Sequence, residues 1–543
     1  MKFGNVKNEL ILLLILFIAI GALFLYNKMG IFISGEGDGY FHAMGGYFVY
    51  DFARWWMGSP TFSFEMIKSF VIDYQVHYKF LGSLTHWQPF QSLFVGFLAF
   101  FSGKYPFTNY IATALETLAA MFYGYRIYGL MYGEKKKLFL FLVPVFIAFS
   151  PIVFDYGASL TIEPALLLFS TMTAFYFIRY IKTGKPNDLY FTAASFGLGM
   201  LTKASFIIVL PILLLSLFLE RKHKILFGKY KELAISLVIF LITISPWLIL
   251  ETIFTMNGIS DVGGRISVIG EYAHLDAGLY VRLANIGMTI WTTGMSILLV
   301  FVLYKFLKSK RLTGELTILM FAIIWAAFYN ITGTTPEIQP RLFLPVVPFA
   351  VILSIRGIQL FFEQQKRFQK YLIPVVGFIL FVSILTCYNY TTQVKIDWAS
   401  TDILAPAIYI SDNTQSPTTV MSTFSRMQAV AFLILEEKNV SVVEAPYKYS
   451  GGKEELKIML DSQDYVRRPN ITGWERFNLT HPPIEWVIIH EKFDGMEPDY
   501  KLKEIIDERD DFELIRIMEG KWVGNRVFIY KRNSSFFDNS AIS

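Results

Sequence analysis

The chain has 543 residues, 54% of them hydrophobic and 17% aromatic, with a mean hydropathy of +0.44. That is too apolar for an ordinary soluble domain. A net charge of +5 is small for this length, and its Lys and Arg residues gather in short loops, which reads as membrane topology rather than nucleic-acid binding. The single cysteine, Cys387, excludes an intramolecular disulfide framework and a multi-cysteine metal site.

The first element is an apolar run at 10–26. It has signal-peptide flanks but no small-residue cleavage pattern, so it is expected to stay as a signal-anchor helix. Further apolar runs follow at 111–131, 138–150, 161–180, 189–201, 205–219, 233–252, 286–304, 316–329, 342–361 and 371–388. Segments of this kind fit a bilayer core of about 30 Å. The fold class expected is a polytopic α-helical membrane protein of about 11 spans with a C-terminal extracytoplasmic α/β domain.

The positive-inside rule puts the basic loops 135–137, 179–185, 221–231, 305–311 and 366–370 in the cytoplasm. The loops holding Asp155, Lys203, Arg265 and Arg341 then face outward, with the C-terminal tail. Parity leaves room for one crossing between Tyr26 and Lys135. The short apolar stretch Phe90–Phe101, opened by Pro89, is therefore expected to dip into the membrane or lie on it. The alternative is that it crosses and a later short span does not. Sequons at Asn330, Asn389, Asn439, Asn470, Asn478 and Asn533 all fall in segments assigned outside.

Residues 1–388 form the expected transmembrane domain and 389–543 the soluble one. In the latter, "TTVMST", "VSVVEAP", "EWVIIHEK" and "RVFIYKR" read as strands. "SRMQAVAFLILEEKN", "KEELKIMLDSQ" and "YKLKEIIDERDD" read as helices.

Four stretches could carry chemistry. In "ISGEGDGYFHAMGGYFVYDFARWW", Asp38 and His42 stand at i and i+4 and share a helical face. Asp51 and Arg54 are spaced to pair. The aromatic rest suits a helix in the headgroup region. The plain alternative is an interfacial helix capped by Asp38. In "VFDYGASLTIEPALLLF", Asp155 and Glu163 flank a short outer loop. An acid at a helix start complements the helix dipole, but a carboxylate at membrane depth is a candidate for function. Lys203 in "GMLTKASF" and Arg341 in "TPEIQPRLFLPVVPF" read either as snorkelling cations or as a pair facing a lipid phosphate. Arg265 and His274 lie in a long outer loop, 256–285, of the length of a lid. His77 and His86 could join His42 and Asp38 around a divalent metal, although the spacing matches no compact motif.

These pieces occur in a recognisable order. An acid in the first outer loop is followed by "HWQPFQSLFVGFLAFFSG", a second acid, "FGLGMLTKASFIIVLPILLL" and "PRLFLPVVPFAVIL". The pattern resembles the glycosyltransferase C superfamily over roughly 11–361. It is nearest the branch of the protein O-mannosyltransferases and the lipid A aminoarabinose transferase. There the first acid is commonly "D-E"; here Gly39 follows Asp38. "DGYFH" and "TIEP" also resemble the oligosaccharyltransferase catalytic subunit, but "TIEP" falls too early and "W-W-D-Y-G" is missing.

The resemblance implies an enzyme that transfers a sugar from a polyprenyl-phosphate donor to an acceptor hydroxyl on a protein or glycan, at the outer face of the cell membrane. Asp38 would be the base and Glu163 a second catalytic acid. Lys203, Arg341 and Arg265 would hold the phosphate, with Asp155, His42 and His86 lining the substrate site. An oligosaccharyltransferase-like enzyme and a transporter are the other readings; no internal hydropathy repeat supports the transporter.

Overall fold

The computed structural model describes residues 3–28, 39–59, 63, 65–67, 69–70, 89–133, 137–222, 229–255, 313–332, 340–392, 400–414, 417–423, 425–435, 440–444, 452–461, 465–466, 480–481, 483–491, 494, 501–520 and 526–533. The membrane part is helical: α1 (Phe3–Lys28), α2 (Gly39–Gly58), α3 (Phe90–Ser102), α4 (Pro106–Tyr132), α5 (Lys137–Ala148), α6 (Pro151–Tyr156), α7 (Glu163–Thr183), α8 (Pro186–Thr202), α9 (Val209–Leu219), α10 (Tyr230–Thr255), α11 (Glu315–Thr332), α12 (Val347–Gln364) and α13 (Leu372–Thr392). Among the described residues, five segments are long and apolar enough to cross a bilayer: Leu10–Lys28, Glu163–Thr183, Tyr230–Leu248, Arg341–Gln364 and Arg367–Cys387. The expected run 286–304 lies outside the described residues.

The α7–α8 hairpin shows how local sequence sets the boundaries. Glu163 and Pro164 open α7, an acid and a proline in the first turn, and Lys182 closes it. Gly184 ends it in the left-handed conformation, at φ 66°. Pro186 and Asp188 then start α8. Arg179 and Thr183 hold the buried Asp188 carboxylate, with Arg179 Nε to Oδ1 at 2.6 Å and the Thr183 hydroxyl to Oδ2 at 3.0 Å. Across the turn, the Lys229 ammonium donates to the Gly184 carbonyl at 2.7 Å.

The helix α3 has 13 residues. At 1.5 Å per residue it reaches about 20 Å, short of a bilayer core of about 30 Å. It packs closely along α2. A Cβ on Gly46 would sit 2.4 Å from Val95 Cγ1, and one on Gly96 would sit 2.6 Å from Val49 Cγ1. Small residues here let the backbones approach.

Its partner α2 is no simple interfacial helix, because Ala43, Met44 and Tyr47 are fully buried. The expected Asp51–Arg54 pair does not form. Asp51 instead meets Lys104 beyond the end of α3 at 3.1 Å, while Arg54 donates to the Tyr50 hydroxyl at 3.2 Å.

The C-terminal part holds α14 (Ala405–Asp412), β1 (Thr418–Ser422), α15 (Ser425–Ile434), β2 (Val440–Glu444), α16 (Gly452–Asp461), β3 (Tyr465–Val466), β4 (Thr480–His481), β5 (Ile484–His490), α17 (Leu502–Asp507), β6 (Phe512–Glu519) and β7 (Arg526–Arg532). The main sheet has the order β2-β1-β5-β7-β6. The pairs β1/β2 and β1/β5 are parallel, and β5/β7 and β6/β7 antiparallel. All four expected strands are present.

The strand β6 was not expected, and the helix read over 500–511 stops at Asp507. Leu514, Ile515 and Ile517 of β6 are exposed, so this edge strand lacks the one-sided apolar alternation that marks a half-buried strand. One sheet face packs on α14, α15 and α2 through Val420, Trp486, Ile488 and Phe432 with Met44 and Tyr47. Leu456 and Met459 of α16 and Leu502 and Ile506 of α17 cover the other. Burial on both faces explains the continuous apolar runs of β1 and β5.

His490, at the end of β5, is fully buried. Its Nε2 donates to the Asp402 carbonyl at 2.8 Å, and its Nδ1 faces the Thr423 hydroxyl at 3.2 Å. Burial pulls its pKa down to about 4 from an ordinary 6.5. The unfolded chain therefore binds a proton that the folded chain refuses between these two values. The C-terminal part should keep its full stability above pH 6.5 and lose up to about 3 kcal/mol as pH falls toward 4. Thermal unfolding against pH checks this, and His490→Gln should flatten the dependence. At the helix pair, Gly96→Val should destabilise by about 1–3 kcal/mol through overpacking, seen as a lower unfolding midpoint in detergent.

Candidate active site at one end of the bundle

Glu163 is placed by its preceding segment. The hydroxyl of Thr117 on α4 donates to the Gly157 carbonyl at 2.8 Å, and that of Thr113 donates to the Ser159 carbonyl at 2.8 Å. Ser159 N donates back to Thr113 Oγ1 at 3.0 Å. The chain between α6 and α7 is thus pinned to one face of α4, and Glu163 emerges inside the bundle at 3% exposure. The Thr161 hydroxyl supports its carboxylate.

Lys203 reaches Glu163 from the next turn. It ends α8 in extended conformation, its N–H bonded to the Gly199 carbonyl at 3.0 Å, and a 3-10 turn, Ala204–Ile208, reverses the chain. A Cβ at Gly199 would fall 2.2 Å from the Phe206 ring. Glycine there lets Phe206 fold back and close the turn, which aims Lys203 at the bundle. Its ammonium lies 3.5 Å from Glu163 Oε1.

Arg341, buried at 7%, comes from the 3-10 segment Pro340–Val346 that leads into α12 and packs on α7. Arg341 and the buried His42, in the first turns of α2, both lie close enough to act on the Glu163 charge. The structure therefore brings Glu163, Lys203, Arg341 and His42 together, from four separate parts of the chain. They sit at the end of the α7–α8 hairpin opposite to Arg179, Lys182 and Lys229. That end is about 30 Å away along a helix of 21 residues.

Asp155 stands apart from this group. It lies on α6 and pairs with Lys28, at the end of α1, across 3.8 Å. Burial raises its pKa, and Lys28 opposes that rise. Asp38, Arg265 and His86, with Glu36, His77 and His274, lie outside the described residues. Among the described residues, no three His, Cys, Asp or Glu side chains are grouped to hold a metal.

Sequence reasoning passed over Lys28 and Thr161, and also Gln91 and Glu116, both 2% exposed. Glu116 had a legible signal. It is the only acid in the run 111–131, and a carboxyl inside a span is unusual by itself.

Chemically, Lys203 and Arg341 bring two cations to the buried Glu163 carboxylate. Such a site suits an anion that takes charge from Lys203 and Arg341.

Residues 89–250 match the family model described as dolichyl-phosphate-mannose-protein mannosyltransferase. No curated protein sequence matches the chain. Among solved structures, the chain resembles ArnT from Cupriavidus metallidurans in the apo state, with a TM-score of 0.63 at 11% identity, over 96% of this chain and 98% of that one. The same protein bound to undecaprenyl phosphate matches with a TM-score of 0.61 at 12% identity over the same shares. The archaeal oligosaccharyltransferase AglB from Archaeoglobus fulgidus, in complex with an inhibitory peptide and a dolichol-phosphate, gives a TM-score of 0.56 at 11% identity, over 90% of this chain and 70% of that one. The chain has the fold of these solved structures, and its segment 89–250 matches the family model described as dolichyl-phosphate-mannose-protein mannosyltransferase.

Proposed function

We propose that this protein is an integral membrane glycosyltransferase that moves one sugar from a polyprenyl-phosphate donor to an acceptor hydroxyl on the extracytoplasmic face, with inversion. The observation that carries the reading is the Glu163–Lys203 pair, with Arg341 beside it, at the end of the α7–α8 hairpin opposite its basic end, which the positive-inside reading assigns to the non-cytoplasmic side. A sugar phosphate leaves readily once positive charge holds the departing oxygens. Lys203 and Arg341 supply that charge, and Glu163 keeps both cations in place when the site is empty.

Deprotonating the acceptor hydroxyl falls to Asp38. It precedes α2 by one residue and stands four residues before His42, which lies by Glu163. A single displacement at the anomeric carbon inverts its configuration. We place the C-terminal α/β part on the extracytoplasmic side, where its contact with α2 puts it next to the acceptor's approach.

Purified protein in vesicles, supplied with a panel of polyprenyl-phosphate sugars, tests the reading. Lys203→Ala and Asp38→Asn should each reduce transfer on the order of a hundredfold; full activity in either removes that residue's role. A stability cycle separates the ion pair from the chemistry. Lys203→Ala should lower the unfolding midpoint by removing the cation that meets the buried Glu163 carboxylate at 3.5 Å. Adding Glu163→Gln should recover stability but not transfer.

A further inference from the structure

A second polar group lies inside the bundle, next to the site but not part of it. Asn109, Thr113, Glu116 and Thr117 share one face of α4 by their spacing. Thr113 and Thr117 hold the segment that leads to Glu163. On the flank of the same face, the Gln91 side chain, from the first turn of α3, lies beside the Glu116 carboxyl. The start of α3 also touches α7, through Phe90 and Phe169 at 4.8 Å.

The oxygens in this group are notable for what they lack. Gln91 Oε1, Asn109 Oδ1 and both oxygens of Glu116 lack a donor in good hydrogen-bond geometry, although each residue is at most 2% exposed, and Gln91 is the side chain that acts on the Glu116 carboxyl. The Asn109 amide nitrogen, by contrast, is used, donating to the Tyr47 hydroxyl at 3.4 Å. The two amide oxygens are acceptors, and the Glu116 carboxyl accepts and, as the neutral acid, also donates. Burying acceptors without donors is costly. The arrangement therefore suits a ligand that arrives with several donors and no charge, which describes the hydroxyls of a sugar ring. Asn109 and Glu116 are seven residues apart, about 10 Å along α4. One ring with a hydrogen bond at either end covers that span.

We infer that Gln91, Asn109 and Glu116 form the pocket that reads the donor's sugar, while Lys203 and Arg341 hold its phosphate. This rests on the donor reading above and assigns sugar preference to residues on α3 and α4. Binding is the test. Wild type and the variants Gln91→Leu, Glu116→Leu and the near-isosteric Glu116→Gln are titrated with undecaprenyl phosphate. The same titrations are run with undecaprenyl phosphate bearing mannose, glucose, galactose, N-acetylglucosamine or arabinose.

Wild type should bind at least one glycosylated lipid more tightly than the bare phosphate. The variants should bind the bare phosphate as wild type does and lose about tenfold in that preference. If these side chains only hold buried water or join the helices, the preference survives, or bare-phosphate binding falls equally; either result overturns the inference. A wild type that binds bare phosphate with no sugar preference also overturns it. A wild type that binds no lipid phosphate at all sinks the donor reading first.

Discussion

A carboxylate buried among apolar helices has to be met by positive charge. In this protein Lys203 meets Glu163 at 3.5 Å, with Arg341 and His42 near enough to act on it. That requirement organises the end of the bundle where Glu163 lies. The segment before Glu163 must be pinned, and two threonines of α4 pin it. The turn at Lys203 must be tight, and Gly199 lets Phe206 close it. Arg341 must arrive from far along the chain, and a 3-10 turn packed on α7 delivers it.

Two cations of different chemistry, an ammonium and a guanidinium, converge on this one acid from distant parts of the chain. That convergence connects structure to function, because the same two groups suit the oxygens of a phosphate. The neighbouring acceptors of α3 and α4 add a neutral, hydroxyl-seeking surface to this group. If Gln91, Asn109 and Glu116 read the sugar as we infer, the two halves of a sugar phosphate are read by different helices.

Much of this was legible in the sequence. Glu163, Lys203 and Arg341 were readable because charge in an apolar run is conspicuous and because topology put all three on one side. The strands of the C-terminal part were readable from short apolar runs bounded by turn residues. Other features depend on tertiary contact. The spacing of Asp51 and Arg54 allowed a pair, but Lys104 at the end of α3 offered Asp51 a nearer cation, which no local pattern reveals. Similarly, α2 had the aromatic composition of an interfacial helix and became buried because α15 and the sheet cover it. The edge strand β6 escaped because its apolar residues stay exposed. Glu116 could have been noticed as the one acid in its apolar run, but Gln91 carried no mark in the sequence, and only the packing of α3 on α4 brings the two together.

The most direct measurement is an experimental map of the protein with undecaprenyl phosphate bound. The account predicts phosphate density within about 3 Å of both the Lys203 ammonium and the Arg341 guanidinium, with the lipid tail leaving between helices. Phosphate density elsewhere, with the Glu163–Lys203 pair intact and unengaged, would contradict it.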